Sequence, residues 1–358
     1  MIDARKLDHI LISLKKDVAS KTKNGFEDVA LVHRALPEID REEIDLSATF
    51  FGRRISAPVL IAGMTGGHEK AKKINENLAI AAQELNIPMG VGSQRAGIEN
   101  EKLAYTYSIA REAAPDAFLI ANLGAVQLSK GYGIKEARKA IDMIGANALA
   151  VHLNPLHEAI QPEGETDFKG CIRGIEKLSN IGVPIIAKET GAGIAREEAV
   201  LLEKAGVAGI DVGGLGGTSF SAVEYYRKKA GKGKLFWDWG IPTAISTVEC
   251  AESTKLQVIA TGGIRNGIEV AKALALGASA CGIALPLLRR AVKSSREVAA
   301  ELQRIIEELK TATFLVGAAN VAELKNSDVV ITGKMKEWLE SRGIDCKKFA
   351  NRRMIKWK

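Results

Sequence analysis

Cysteine is scarce in this chain: four residues in 358, Cys171, Cys250, Cys281 and Cys346, widely scattered and with no Cys-x-x-Cys pair. That pattern excludes a zinc ribbon and a disulfide-stapled scaffold, and packed, reduced thiols are expected instead. Aromatic residues make up 5% of the chain and no nucleic-acid-binding module is recognisable. The stacking platforms that a nucleic-acid partner needs are therefore missing, and the net charge of +7 is read as a preference for a small phosphorylated substrate. No run reaches eighteen uninterrupted apolar residues, which excludes a membrane-spanning helix. The first residues, Met1-Ile2-Asp3-Ala4-Arg5-Lys6, hold no apolar stretch long enough for a signal peptide before Lys15, Lys16 and Asp17, so a cytoplasmic location is expected. Basic residues gather in the tail, from Lys347-Lys348 to Lys358, where a solvated surface or a subunit contact is expected.

What the chain has in quantity is glycine, 35 residues, and the most telling are in Asp211-Val212-Gly213-Gly214-Leu215-Gly216-Gly217-Thr218-Ser219. Four glycines and two hydroxyls after an apolar run suit a loop whose backbone touches a phosphate or a flat ring. A second loop, Thr261-Gly262-Gly263-Ile264-Arg265, follows the next apolar run. Together they can offer backbone N–H groups, a hydroxyl and a guanidinium to one phosphate.

The frame around these loops is rhythmic. Apolar runs occur at 59–64, 89–93, 118–123, 148–154, 184–189, 209–213, 257–262 and 280–285, separated by segments with helical spacing such as 71–85, 134–144, 196–205 and 267–276. Eight alternations imply parallel strands with helical crossovers, and the count predicts a closed (β/α)8 TIM barrel in preference to an open doubly wound sheet. The expected organisation is one α/β domain: an arm at 1–56, the barrel at 57–290 and C-terminal helices at 291–358, including long amphipathic and shorter helical segments at 294–315 and 333–343. In the arm, Leu7, Ile10, Leu11 and Leu14 have the spacing of one helical face, with Arg5, Lys6 and His9 on another. Two connections are long, 157–169 and 228–243, and are expected to wall the site.

Polar residues fall at the ends of these runs: Thr65, Ser93, Asn122, His152, Asn154, Lys188, Thr218 and Arg265. In a barrel, strand ends form one rim, so these residues converge on one pocket. Thr65, Ser93 and Asn122 supply neutral hydrogen-bonding groups suited to a heteroaromatic ring such as a flavin. Lys188 can form a Schiff base, act as an acid, or hold a cofactor's electronegative edge. The densest polar cluster is His152-Leu153-Asn154-Pro155-Leu156-His157-Glu158. Its two histidines are five apart, which is not the spacing of a zinc pair on one helical face, whereas Glu158 can hold Mg2+ through oxygen if substrate phosphates complete the shell. Ser93-Gln94-Arg95, with Arg5, Lys6 and His9, can neutralise a second anionic group, and two anion sites imply two ligands.

Taken together, Arg5-Lys6-x-x-His9, Gly63-Met64-Thr65-Gly66-Gly67, Gly90-Val91-Gly92-Ser93-Gln94-Arg95, Ala121-Asn122-Leu123-Gly124, His152-Leu153-Asn154-Pro155, Lys188-Glu189, Gly216-Gly217-Thr218, Gly262-Gly263-Ile264-Arg265 and Ala284-Leu285 make the chain resemble the type 2 isopentenyl diphosphate isomerases, archaeal members above all. The resemblance implies a barrel that binds FMN, requires Mg2+, uses NADPH only to reduce the flavin, and interconverts isopentenyl and dimethylallyl diphosphate without net redox change. It implies FMN contacts at Gly63, Met64, Thr65, Ser93, Asn122, Lys188, Gly213, Thr218, Gly263, Ile264, Arg265, Ala284 and Leu285. Substrate contacts are implied at Arg5, Lys6, His9, Ser93, Gln94, Arg95 and His157, a Mg2+ carboxylate at Glu158, and catalytic roles at His152, Asn154, His157 and Glu224. It also implies a homo-oligomer, tetramer or octamer, with no nucleic-acid or membrane partner. One position departs: His157 stands where the family usually has Gln. Among other flavin barrels, a 2-hydroxy acid oxidase wants a histidine base late in the barrel, and none follows His157; an inosinate-type dehydrogenase wants a cysteine after the sixth strand, and 213–220 has none.

Overall fold

The computed structural model describes residues 2–228 and 231–353, except for the side chains of residues 2–5 and 231. Eight parallel strands close on themselves: β1 (Val59–Ile61), β2 (Met89–Gly90), β3 (Leu119–Gly124), β4 (Ala148–Leu153), β5 (Ile185–Glu189), β6 (Gly209–Asp211), β7 (Gln257–Thr261) and β8 (Ala280–Ile283). Closure runs from β8 to β1, with Cys281 opposite Val59 and Ile283 opposite Ile61. The helices that shape the site or its frame are α1 (Ile2–Lys15), α2 (Pro155–Ile160) after β4, α3 (Phe220–Lys228) after β6, α4 (Ser295–Leu315) and α5 (Gly333–Ser341).

The strands are apolar on both faces because both faces are covered. Leu60, Ile120, Ala150, Ile186 and Ile259 fill the barrel interior, while their neighbours Val59, Leu119, Val151, Ala187 and Val258 pack outward under the helices. A hairpin of Ala48–Phe50 with Arg53–Ile55 plugs the N-terminal end: Phe50 and Ile55 join the interior cluster, and the rings of Phe50 and Phe118 lie 5.2 Å apart. The opposite end stays open for chemistry.

Residues 1–56 thus hold three devices and not a single arm. Helix α1 reaches the open rim, the hairpin seals the floor, and the strand Val29–Leu31 pairs antiparallel with Val329–Ile331 near the other end of the chain. The C-terminal cations also differ from a solvated face. Arg353 donates to the carbonyls of Val316, Gly317 and Glu323 at 2.7–3.1 Å, and Arg352 to those of Ala275 and Lys325. They satisfy helix C-terminal carbonyls that would otherwise lack donors, a use that composition alone does not reveal. Residues 354–358 of that tail lie outside the described residues. All four cysteines are buried and free, and no helix among the described residues is long and apolar enough to cross a membrane.

Candidate active site

One cavity opens at the C-terminal rim, and segments following all eight strands line it. Four fixed cations, Lys6, Arg95, Lys188 and Arg265, face it against one carboxylate, Glu158. Such a charge balance suits an anionic ligand.

The two glycine-rich loops meet at one end through backbone alone. A Cβ on Gly263, whose φ is +80°, would lie 2.2 Å from the carbonyl oxygen of Gly216, and one on Gly216 would strike the backbone of Asn24. Only glycine permits this approach, and it leaves main-chain atoms, the Thr218 hydroxyl and Arg265 facing the cavity. Asn24 braces the pair from behind, its Nδ2 donating to Gly263 O at 3.0 Å and to Glu269 at 2.9 Å.

In the middle, adjacent strand positions place His152, Lys188 and Asp211 side by side. Lys188 Nζ lies 2.9 Å from Asp211 Oδ2. Burial raises the Asp211 carboxyl, and Lys188 opposes that rise. Asn122 Nδ2 donates to Val91 O at 3.1 Å, so its Oδ1 faces His152 Nδ1 at 2.8 Å. This fixes the imidazole as the Nδ1–H tautomer with a free electron pair on Nε2. Desolvation, aided by nearby His157, Lys188 and Lys6, pushes the His152 pKa down to about 3, so the ring is neutral.

The far end is built by α1, α2 and α3. Glu158 accepts from Asn154 Nδ2 at 2.8 Å, from Glu165 N at 2.8 Å and from Gln161. Asn154 Oδ1 is buried with no hydrogen-bond partner, an unused acceptor held next to a carboxylate. Glu224, 1% exposed in its side chain, receives His9 Nε2 at 2.8 Å and His157 Nε2 at 3.2 Å on Oε1, while Arg227 grips Oε2. Burial would raise this carboxyl, but the hydrogen bonds from His157, His9 and Arg227 outweigh it and hold it well below the usual carboxylate range. Phe220 stacks on His157 at 4.6 Å.

Helix α1 is moored over the rim by the glycine loop itself: Ser20 N donates to Gly217 O and Ser219 N to Val18 O, both at 2.8 Å. The second long connection adds Trp237, whose Nε1 donates to Ala19 O, and Asp238, which accepts from Ser20, Lys21 and Thr22. Lys6 Nζ then reaches Ser93 O at 2.7 Å and the Tyr107 hydroxyl.

The cavity therefore brings together Gly63, Met64, Thr65, Ser93, Arg95, Asn122, His152, Asn154, His157, Glu158, Lys188, Gly213, Thr218, Gly263, Arg265, Ala284, Leu285, Lys6 and His9. Glu224 stands just behind His9 and His157. Two expected contacts are corrected. Gln94 is fully buried beneath the rim, its Oε1 accepting from Asn122 N and its Nε2 donating to Ala140 O, so it positions Asn122 instead of lining the cavity. Ile264 is a core residue, 1% exposed, between its two loop neighbours. The side chain of Arg5 lies outside the described residues. Arg95 carries partners of its own, Glu99 at 2.8 Å and Glu165 at 3.2 Å. Sequence reading overlooked Asn24, Tyr107, Gln127, Glu165 and Arg227; of these only Glu165, within a long loop on the rim, carried a local signal.

Residues 13–118 and 165–331 match the model of the FMN-dependent dehydrogenase family. The unmatched segment between them carries Asn122, His152, Asn154, His157 and Glu158, whereas both glycine-rich loops fall within the match. Among solved structures, mandelate oxidase bound to (S)-mandelic acid superimposes with a TM-score of 0.64 at 19% identity, covering 93% of this chain and 98% of its own; it shares the fold. Curated relatives run end to end. The isopentenyl-diphosphate delta-isomerase of Thermococcus onnurineus is 54% identical over 351 residues, 94% of each chain. That of Methanothermobacter thermautotrophicus is 51% identical over 354 residues, 98% of this chain and 100% of its own. With an FMN-dependent dehydrogenase barrel and near full-length identity of this order, the chain belongs to the type 2, FMN-dependent isopentenyl-diphosphate delta-isomerases.

Proposed function

We propose that this chain interconverts isopentenyl and dimethylallyl diphosphate over reduced FMN with Mg2+. The observation that carries the reading is the division of one cationic cavity into a backbone-lined glycine end and a histidine–carboxylate end. FMN fits the first. Thr218, Gly263 and Arg265 would take its phosphate, with Gly213 beside them, and Thr65, Ser93, Asn122 and Lys188 the polar edge of its ring. Gly63, Met64, Ala284 and Leu285 would supply the flat apolar walls. When bound and reduced, the flavin supplies an electron-rich surface against which an alkene and its positively charged transition state can lie. NADPH enters only as the reductant of the flavin, because the conversion itself moves no net electrons.

The protein's own residues supply anchoring and proton handling. Lys6, His9 and Arg95, with Arg5 by position, would hold the diphosphate so that the alkene is oriented. Glu158 and the unpartnered Asn154 Oδ1 offer two oxygen atoms to Mg2+, the ligand type it prefers, with substrate phosphate completing the shell. Shifting the double bond adds a proton at one carbon and removes one at another. His152 presents a neutral acceptor at Nε2, and the His157–Glu224 pair holds a proton between imidazole and carboxylate. An imidazole stands at position 157, where the family usually has an amide, and its ring nitrogens serve as hydrogen-bond donor and acceptor. A homo-oligomer, tetramer or octamer, is part of the same reading, with Leu36 at 80% and Leu235 at 82% exposure as candidate contact residues.

The test uses the purified protein. Its visible spectrum reports bound flavin; after anaerobic reduction with NADPH in Mg2+ buffer, proton NMR follows isopentenyl diphosphate. Conversion to dimethylallyl diphosphate without stoichiometric NADPH use is expected. A flavin-free protein, or one that leaves the substrate unchanged, refutes the reading.

A further inference from the structure

The histidine spacing that argues against zinc in the sequence concerns His152 and His157. The fold pairs His157 with a different imidazole, that of His9. The Nε2 atoms of His9 and His157 and Oε1 of Glu224 lie within 4.8 Å of one another, with the two nitrogens 2.8 and 3.2 Å from the oxygen. In a tetrahedral site with bonds of about 2.0–2.1 Å, ligand atoms stand about 3.3–3.4 Å apart. Lengthening the two nitrogen–oxygen edges to that value, and bringing the nitrogen–nitrogen edge, which lies within 4.8 Å, to the same value, would admit an ion. We propose that His9, His157 and Glu224 form a binding site for a transition-metal dication of the zinc class, separate from the oxygen-rich position at Glu158, and that its occupancy inhibits the enzyme.

Several features of the surroundings favour a cation there. Glu224 keeps Oε2 on Arg227, which fixes the carboxylate and leaves Oε1 for the ion, the outer-sphere arrangement that orients metal ligands. Arg227 is itself paired with Glu163 at 2.7 Å, so two carboxylates stand against one guanidinium and the local charge is minus one. Phe220 fixes the His157 ring plane by stacking. Each imidazole would present its Nε2 electron pair, with its proton on Nδ1. Two imidazoles and one carboxylate select zinc, cobalt, nickel or copper over magnesium. His9 and His157 both line the cavity, so the fourth position opens where substrate enters. An ion here would withdraw His157 and Glu224 from proton exchange and lock α1 to α2 and α3. The inhibitory consequence rests on the isomerase reading; the binding does not.

The test uses the FMN-loaded enzyme, stripped of trace metal with a chelator and titrated with Co2+ in excess Mg2+. One equivalent should give the intense visible bands of tetrahedral Co2+ at wavelengths beyond the flavin absorption, and Zn2+ should abolish them. His9→Ala and His157→Gln should each weaken binding at least about tenfold, the scale set by loss of even an outer-sphere partner. Glu158→Gln should leave the bands intact. Isomerase activity of the unsubstituted enzyme should fall in step with Zn2+ occupancy despite the Mg2+. Bands that are absent, or that vanish in Glu158→Gln but persist in His9→Ala and His157→Gln, overturn the site. Full activity at saturating Zn2+ overturns the inhibition. Triad-dependent bands in a protein without isomerase activity would support the site and refute the isomerase reading.

Discussion

Replacing Lys188 with Met separates cofactor binding from the stability of the barrel. Lys188 and Asp211 pair at 2.9 Å with side-chain exposures of 13% and 6%, so the substitution strands a carboxylate in the barrel mouth. Removing one partner of a buried ion pair costs about 3–5 kcal/mol, and the residual exposure of Lys188 places this case near 3. The penalty should depend on pH, and its sign follows from the charge left behind. Burial already raises the Asp211 carboxyl and Lys188 is its main counterweight, so losing the lysine raises it further. A carboxyl whose folded pKa exceeds its unfolded value of about 3.9 binds more protons in the folded state, so its contribution to stability is lost as pH rises above that value. The Lys188→Met penalty is therefore expected to be full at pH 8 and to shrink toward pH 4. Urea unfolding of the flavin-free proteins, followed by circular dichroism at both pH values, measures it. The double variant Lys188→Met/Asp211→Asn should recover most of the lost stability yet still bind FMN poorly, because the cation proposed to hold the polar edge of the ring is gone. A single variant as stable as the parent at pH 8, or a double variant no better than the single, would refute the coupling.

Other perturbations address the remaining parts. Gly263→Ala forces a Cβ to within 2.2 Å of Gly216 O at a φ of +80°, so the loops must part; the FMN dissociation constant should rise at least about tenfold, about 1.4 kcal/mol, by fluorescence titration. Glu158→Gln should raise the Mg2+ concentration for half-maximal activity at least about tenfold while flavin content stays at parental level. Arg353→Ala removes the donor to three carbonyls and should cost about 2 kcal/mol in unfolding experiments, with kcat unchanged. Sedimentation velocity should show a particle of four or eight chains, and Leu36→Asp or Leu235→Asp should shift it toward smaller species.

The barrel was legible because parallel strands covered on both faces must be apolar throughout, and each such run ends where a polar residue meets the rim. The glycine loops were legible for a related reason: backbone packed on backbone tolerates no side chain, and that constraint is written locally. Contacts made by distant segments left no such trace. His9 and Glu224 are 215 positions apart, and Asn24 meets Gly263 across 239. Each residue alone is compatible with an ordinary surface. Gln94 misled for a different reason: it sits between two cavity residues, yet its side chain turns beneath the rim to hold Asn122 and Ala140. The basic tail misled because charge counts cannot distinguish a guanidinium in water from one spent on helix-end carbonyls.

The pairing of Val29–Leu31 with Val329–Ile331 has a temporal consequence. Synthesis proceeds from the N-terminus, so the arm bearing Lys6 and His9 leaves the ribosome before any strand of the barrel, while its covalent neighbour cannot dock until the last tenth of the chain is made. A contact of this sequence separation is among the slowest to close. Nascent and C-terminally truncated chains should therefore hold a formed barrel, with α1 already moored to the glycine loop, while the strand Val29–Leu31 still waits for its partner.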